Sequence, residues 1–135
     1  MVSIQFEYQG DLHCKAVHGP SGTELTTDAP KDNQGRGESF SPTDLVATAL
    51  GSCMLTVVGI AARTLNLDMV GATATVEKEM TKVMPRMIER LTVKIHMPHK
   101  LGAEDQLKLE RAAHTCPVHK SLHPDVQMPI EFFWG

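Results

Sequence analysis

Ser41-Pro42-Thr43-Asp44-Leu45-Val46-Ala47-Thr48-Ala49-Leu50-Gly51-Ser52-Cys53-Met54 is the stretch on which the fold turns. Its first four residues spell a helix start. Ser41 serves as N-cap, Pro42 takes the first helical position, where the helix leaves an N–H unpaired anyway, and Asp44 closes a capping box. The apolar run beyond them predicts a helix to about Asn66. Thr48, Ser52, Thr56 and several small residues interrupt it, so it reads as a core helix and not as a membrane span. Cys53 lies about 18 Å from the cap along the axis, out of reach of the helix dipole. Steps of three, four and seven place Val46, Ala49, Leu50, Val57 and Ile60 around the thiol. Such a setting raises a thiol's pKa unless a cation is brought in from elsewhere.

Upstream of this helix, residues 28–39 form a polar stretch with Pro30, Gly35 and Gly37, too long for an ordinary connection. Arg36 sits between two glycines that let the backbone bend and aim its guanidinium, although a solvated arginine satisfies the same pattern. Strands are predicted over residues 2–8, 12–17 and 23–27, with Gly10-Asp11 as a turn. Period two puts Cys14 on one face with Leu12 and Ala16, the position of a small buried hydrophobe.

Downstream, residues 69–78 and 88–97 read as an antiparallel pair joined across Pro85, with Leu91, Val93, Ile95 and Met97 facing the long helix. Residues 103–115 form an amphipathic helix with Leu107, Leu109, Ala112 and Ala113 on its apolar side, stopped by Pro117. A further helical turn over 117–122 puts Cys116 at an N-cap. Free amides there favour a thiolate, so Cys116 is expected to ionise more readily than Cys53. After a turn at Pro124-Asp125, residues 126–134 close the chain as a strand whose large apolar side chains need a surface to pack on.

The 135 residues are expected to form a single domain, residues 1–135. A net charge of -3, with 13 basic residues scattered among 16 acidic ones, supplies no cationic field for nucleic acid or an anionic membrane. No signal-peptide pattern flanks the apolar run, which predicts a cytoplasmic protein. Three cysteines without a CxxC leave metal binding, catalysis or plain burial as their use. With four Phe, one Tyr and one Trp, the core must be filled by aliphatics and eight Met.

Ser41-Pro42-Thr43-Asp44-Leu45, then Ala49-Leu50-Gly51-Ser52-Cys53, and finally Cys116-Pro117-Val118-His119-Lys120-Ser121-Leu122 together resemble the OsmC/Ohr family of thiol peroxidases, closest to its small OsmC-like branch. The resemblance implies an α+β fold with antiparallel sheets packed around a long central helix, and an intertwined homodimer with two active sites at the subunit interface. It makes Cys53 the peroxidatic cysteine, Cys116 the resolving cysteine, and Arg36 the loop arginine that holds the first thiolate. The implied partners are an organic hydroperoxide and a dithiol or lipoyl-type reductant, with no cofactor. The implied cycle passes through a Cys53 sulfenic acid and a Cys53–Cys116 disulfide.

One position departs from that pattern. Thr43 stands where the family carries a glutamate that pairs with the loop arginine. Asp44 is the nearest carboxylate, acting either as cap or as partner of Arg36, and it lies half a helical turn out of phase with Cys53. Glu38 is the second candidate. Two rival functions remain: a non-catalytic or redox-regulatory protein of the same fold that binds a small apolar ligand, and a Cys/His metal module. The latter would use His114, Cys116, His119 and His123, which lack the second ligand pair of a usual zinc site.

Overall fold

The computed structural model describes residues 1–135 as two compact units, residues 1–46 and 47–135. The first is a three-stranded antiparallel sheet of β1 (Ile4–Tyr8), β2 (His13–His18) and β3 (Glu24–Asp28), ordered β1-β2-β3. Between β1 and β2, Gly10, Asp11 and Leu12 all take positive φ, and His13 N–H bonds back to the Gly10 carbonyl. Leu12, expected at the start of the strand, therefore belongs to the turn and is exposed. A short 3-10 turn (Lys31–Asn33) interrupts the loop after β3.

The long helix α1 (Pro42–Thr64) begins where its cap predicts. Ser41 N–H donates to Asp44 Oδ2 at 2.9 Å and Asp44 N–H donates to Ser41 Oγ at 3.1 Å, the two reciprocal bonds of a capping box. Its end lies two residues before the expected one. Asn66 adopts a left-handed φ of 56°, Leu67 N–H reaches back to the Ala62 carbonyl and Asn66 N–H to that of Arg63, closing the helix in a Schellman motif.

In the second unit β4 (Thr73–Met80) and β5 (Ile88–Met97) pair antiparallel, and β6 (Ile130–Trp134) adds alongside β5. β4 starts four residues later than expected, because a turn closed by Ala72 N–H on the Met69 carbonyl, with Gly71 at positive φ, occupies the preceding residues. β6 runs parallel to β5, so this sheet is mixed where wholly antiparallel sheets were expected. The connection explains it. Helices α2 (Ala103–Ala113) and α3 (Pro117–Ser121) carry the chain back to the starting end, which is what a parallel neighbour requires.

The core of this unit is the side of α1 that carries Ala47, Leu50, Gly51, Met54, Val58 and Ala62, together with Leu91, Val93, Ile95 and Met97 of β5. α1 is long and apolar enough to cross a membrane, but this one buried stripe is the pattern of a helix laid on a sheet. On α2 the buried pair is Leu109 and Ala113, four residues apart. Leu107, two residues from Leu109 and thus about 200° around the helix, is exposed against expectation. On β6 the rings of Phe132 and Trp134 stack at 5.2 Å on one face, and Phe133 stacks on His96 at 4.5 Å on the other.

Two helical glycines make this packing testable. A Cβ on Gly51 would stand 2.9 Å from Val76 Cγ2, whereas one on Gly59 would meet only Met69 Sδ at 3.7 Å. Gly51→Val is expected to destabilise the fold by about 1–3 kcal/mol through overpacking. Gly59→Ala should stabilise it by up to about 1 kcal/mol. Thermal or urea unfolding of the two variants measures both, and a Gly51→Val protein as stable as the wild type would contradict the close approach.

Candidate functional site

The rotation of α1 decides where Cys53 stands. The buried stripe centres near Met54 and Val58, and Cys53 is 100° from Met54, so its side chain lies on the border of the stripe and is half-buried. Of the five neighbours expected to enclose it, Leu50 is buried, Val46 and Val57 are half-buried, and Ala49 and Ile60 are exposed. The thiol is thus flanked by apolar groups on one side only.

Cys116 is fully buried and free. It is the N-cap of α3, with Pro117 at the first helical position, and its sulfur accepts the His119 N–H at 3.5 Å. Its thiol also lies close enough to that of Cys53 for the two to interact. Burial first, then the interaction with Cys53, pushes the Cys116 thiol up, and the N–H groups of His119 and Val118 only partly offset the rise. The expectation that Cys116 ionises readily is therefore overturned, because a five-residue helix offers too few amides to compensate for complete burial.

His119 donates its backbone N–H to Cys116, and its ring Nδ1 is buried without a hydrogen-bond partner. Burial first, then the charges of His114 and Lys120, pulls its pKa down. The His114 and His119 rings meet edge to face at 5.9 Å. No three His, Cys, Asp or Glu side chains converge in a group that could hold a metal ion.

In the first unit a second polar centre forms around Asp28, whose side chain is 1% exposed. His13 Nδ1 donates to Asp28 Oδ1 at 2.5 Å, Glu38 N–H donates to Oδ2 at 3.1 Å, and Arg36 Nη2 lies 3.9 Å from Oδ1. The His13 hydrogen bond chiefly, together with the charges of His13 and Arg36 and the Glu38 amide, outweighs burial and holds this carboxyl below the usual range. The loop is drawn tight around it. Gly35 and Gly37 donate their N–H groups to the Pro30 and Ala29 carbonyls, a Cβ on Gly35 would overlap the Ala29 carbonyl, and Gly37 takes a φ of 61°.

The expected glycine bracket around Arg36 is thus present, and a carboxylate that sequence reading did not consider, Asp28, lies beside the guanidinium. Glu38 contributes only its amide to this centre, and Asp44 closes the α1 cap. Asp28 and His13 were the residues missed, and a signal for them existed. A hairpin that pairs Ala16 with Leu25 also pairs His13 with Asp28, so the register alone puts imidazole opposite carboxylate.

The family model described as OsmC-like protein matches residues 35–131. Among solved structures, a Psychrobacter arcticus 273-4 protein named for osmotic stress induction and a detoxification response is 45% identical, with a TM-score of 0.93, over 98% of this chain and 96% of that one. The organic hydroperoxide resistance protein OsmC of Legionella pneumophila gives a TM-score of 0.78 at 14% identity, over 98% and 96% of the two chains. An organic hydroperoxide resistance protein of Elizabethkingia anophelis, with thiocyanate bound, gives 0.77 at 14% identity over 100% and 96%. The last two likenesses concern the fold alone. No curated protein matches the chain.

The thiol arrangement makes a direct pH prediction. In a Cys14→Ser/Cys53→Ser variant the one remaining thiol, Cys116, should titrate above the ordinary value of about 8.5, because burial, the larger cause, persists. It is then neutral at pH 7 and becomes thiolate only as pH rises past that value. Thiolate absorbance against pH measures it, and a midpoint below the ordinary value would contradict the assignment.

Proposed function

This chain belongs to the OsmC-like protein family, and on that premise we propose that it is a cysteine-based peroxidase reducing organic hydroperoxides to alcohols. The observation that carries the proposal is the juxtaposition of the Cys53 and Cys116 thiols, close enough for the two to interact. A half-buried sulfur that a peroxide can approach stands beside a fully buried one that can capture its oxidised form.

In the proposed cycle the Cys53 thiolate attacks the distal peroxide oxygen and the O–O bond breaks. The departing alkoxide takes a proton to become alcohol, and Cys53 is left as sulfenic acid. The Cys116 sulfur then attacks the Cys53 sulfur, releasing water and forming the disulfide. A small dithiol or lipoyl-type reductant gives up two electrons and two protons to restore both thiols and is itself oxidised to a disulfide. Arg36 is proposed as the cation that favours the Cys53 thiolate, and Asp44 as the residue that fixes the start of the helix bearing it. The apolar groups flanking Cys53 suit an alkyl tail, each buried methylene contributing about 0.8 kcal/mol. The names of the Legionella and Elizabethkingia proteins support this substrate class.

Thr43, in place of the family glutamate, favours one second reading: a redox-regulatory protein that forms the same disulfide but turns over peroxide poorly. We place the protein in the cytoplasm as a homodimer. The exposure of Ile4, Phe6 and Tyr8 along one face of β1 and of Leu25 on β3 supports a self-association surface.

Purified protein given cumene hydroperoxide and a dithiol should consume peroxide rapidly, and Cys53→Ser should abolish this. Cys116→Ser should permit one turnover and then stall as sulfenic acid. Intact mass after mild oxidation should show loss of two hydrogens within one chain. Wild-type protein that forms the disulfide yet leaves peroxide untouched would establish the regulatory reading instead. Sedimentation should give roughly twice the 14.8 kDa chain mass, and a monomer at micromolar concentration would remove the dimer.

A further inference from the structure

The family pattern asks a helix-start glutamate to steady the loop arginine, and this chain has Thr43 there. The chain does carry a carboxylate beside Arg36, but on a different element. Asp28 is the last residue of β3, so the strand ladder fixes its backbone through the pairing with His13. Asp28 N–H also bonds the Phe40 carbonyl at 3.1 Å, tying the end of β3 to the far end of the loop. An ionised carboxylate that is 1% exposed is tolerated only when nearly all its acceptor sites are used. His13, the Glu38 amide and the Arg36 guanidinium use them. Two of these three donors lie within the loop carrying Arg36, and the third, His13, is anchored in the sheet. Arg36 itself is 45% exposed and approaches Asp28 through a single nitrogen, so Asp28 orients it without burying it.

We infer that the His13–Asp28 pair is the positioning device for Arg36, replacing the helix-start glutamate with a carboxylate mounted on the sheet. The inference rests on the peroxidase reading, in which Arg36 is the cation that favours the Cys53 thiolate. Asp28 is a positioning residue that acts through Arg36, and His13 holds Asp28 in turn. Asn at position 28 keeps an acceptor oxygen for the Glu38 amide and removes the charge that attracts the guanidinium.

The test is a double-mutant cycle in the full chain, read in two ways: kcat/KM for cumene hydroperoxide with a dithiol, and the pH midpoint of Cys53 alkylation by iodoacetamide. Asp28→Asn should lower kcat/KM about tenfold or more and move the alkylation midpoint upward. Arg36→Ala should do the same, and Asp28→Asn/Arg36→Ala should be no worse than Arg36→Ala alone, as expected for two residues acting as one unit. His13→Gln should show a smaller loss in the same direction, and it takes over the cycle if Asp28→Asn fails to fold by circular dichroism.

Losses that multiply in the double variant, or an unshifted midpoint in Asp28→Asn, would overturn the inference while leaving the peroxidase intact. Arg36→Ala protein with the wild-type midpoint would overturn it as well. Wild-type protein inert to peroxide would remove the peroxidase reading instead, and the alkylation cycle, which needs no turnover, would still decide whether Asp28 sets Arg36.

Discussion

The rotational setting of α1 against its own sheet is the constraint from which the arrangement of the thiols follows. Gly51 lets the helix approach Val76 on β4, and Leu50, Met54 and Val58 are fully buried in the core to which Leu91, Val93 and Ile95 also belong. Burying each of these aliphatic side chains contributes about 1.5–3 kcal/mol, so the stripe as a whole holds the helix in one phase. Cys53 is not part of that stripe. It lies beside it, which gives the sulfur apolar neighbours without sealing it from approach. A rotation by one residue would either bury the thiol beneath the sheet or expose it fully. The capping box at Ser41 and Asp44 and the Schellman motif at Asn66 set the length of the helix, but the core stripe sets its direction.

Charge is handled differently in the first unit, where burial had to be compensated group by group. Asp28 is nearly inaccessible, and its acceptor sites are filled from β2, from the loop backbone and from Arg36. A carboxylate held below its usual pKa stabilises the folded state fully above the ordinary value of about 3.9, and that contribution is lost as pH falls through the lower folded value. At neutral pH the loop around Arg36 is therefore held by an ionised centre rather than by apolar packing. That choice suits a segment rich in glycine and polar residues, which has little apolar surface to bury.

Much of this was legible in the sequence because the signals were local. The cap at Ser41-Pro42-Thr43-Asp44, the alternation of Leu91, Val93, Ile95 and Met97, and the N-cap position of Cys116 before Pro117 each depend on a few neighbouring residues, and each appears in the structure as read. What could not be read depended on phase or on distant partners. Ile60 and Leu107 are apolar residues at helical spacing, yet they lie outside the buried stripes, because spacing fixes which residues share a face and not which face is covered. The parallel pairing of β6 depends on a crossover spanning two helices. Asp28 looked like the first residue of a polar loop, and only the register of a hairpin fifteen residues across reveals its imidazole partner.

The two sulfurs show why burial and reactivity should be divided between them. In the proposed cycle the first thiol must ionise and be reached by substrate, whereas the second must wait until the first carries oxygen. A resolving thiol that ionised early would compete for peroxide and would repel the neighbouring thiolate. Complete burial favours the protonated form of Cys116 beside the Cys53 sulfur. In that cycle the juxtaposition that keeps Cys116 beside Cys53 is the one across which the disulfide would form.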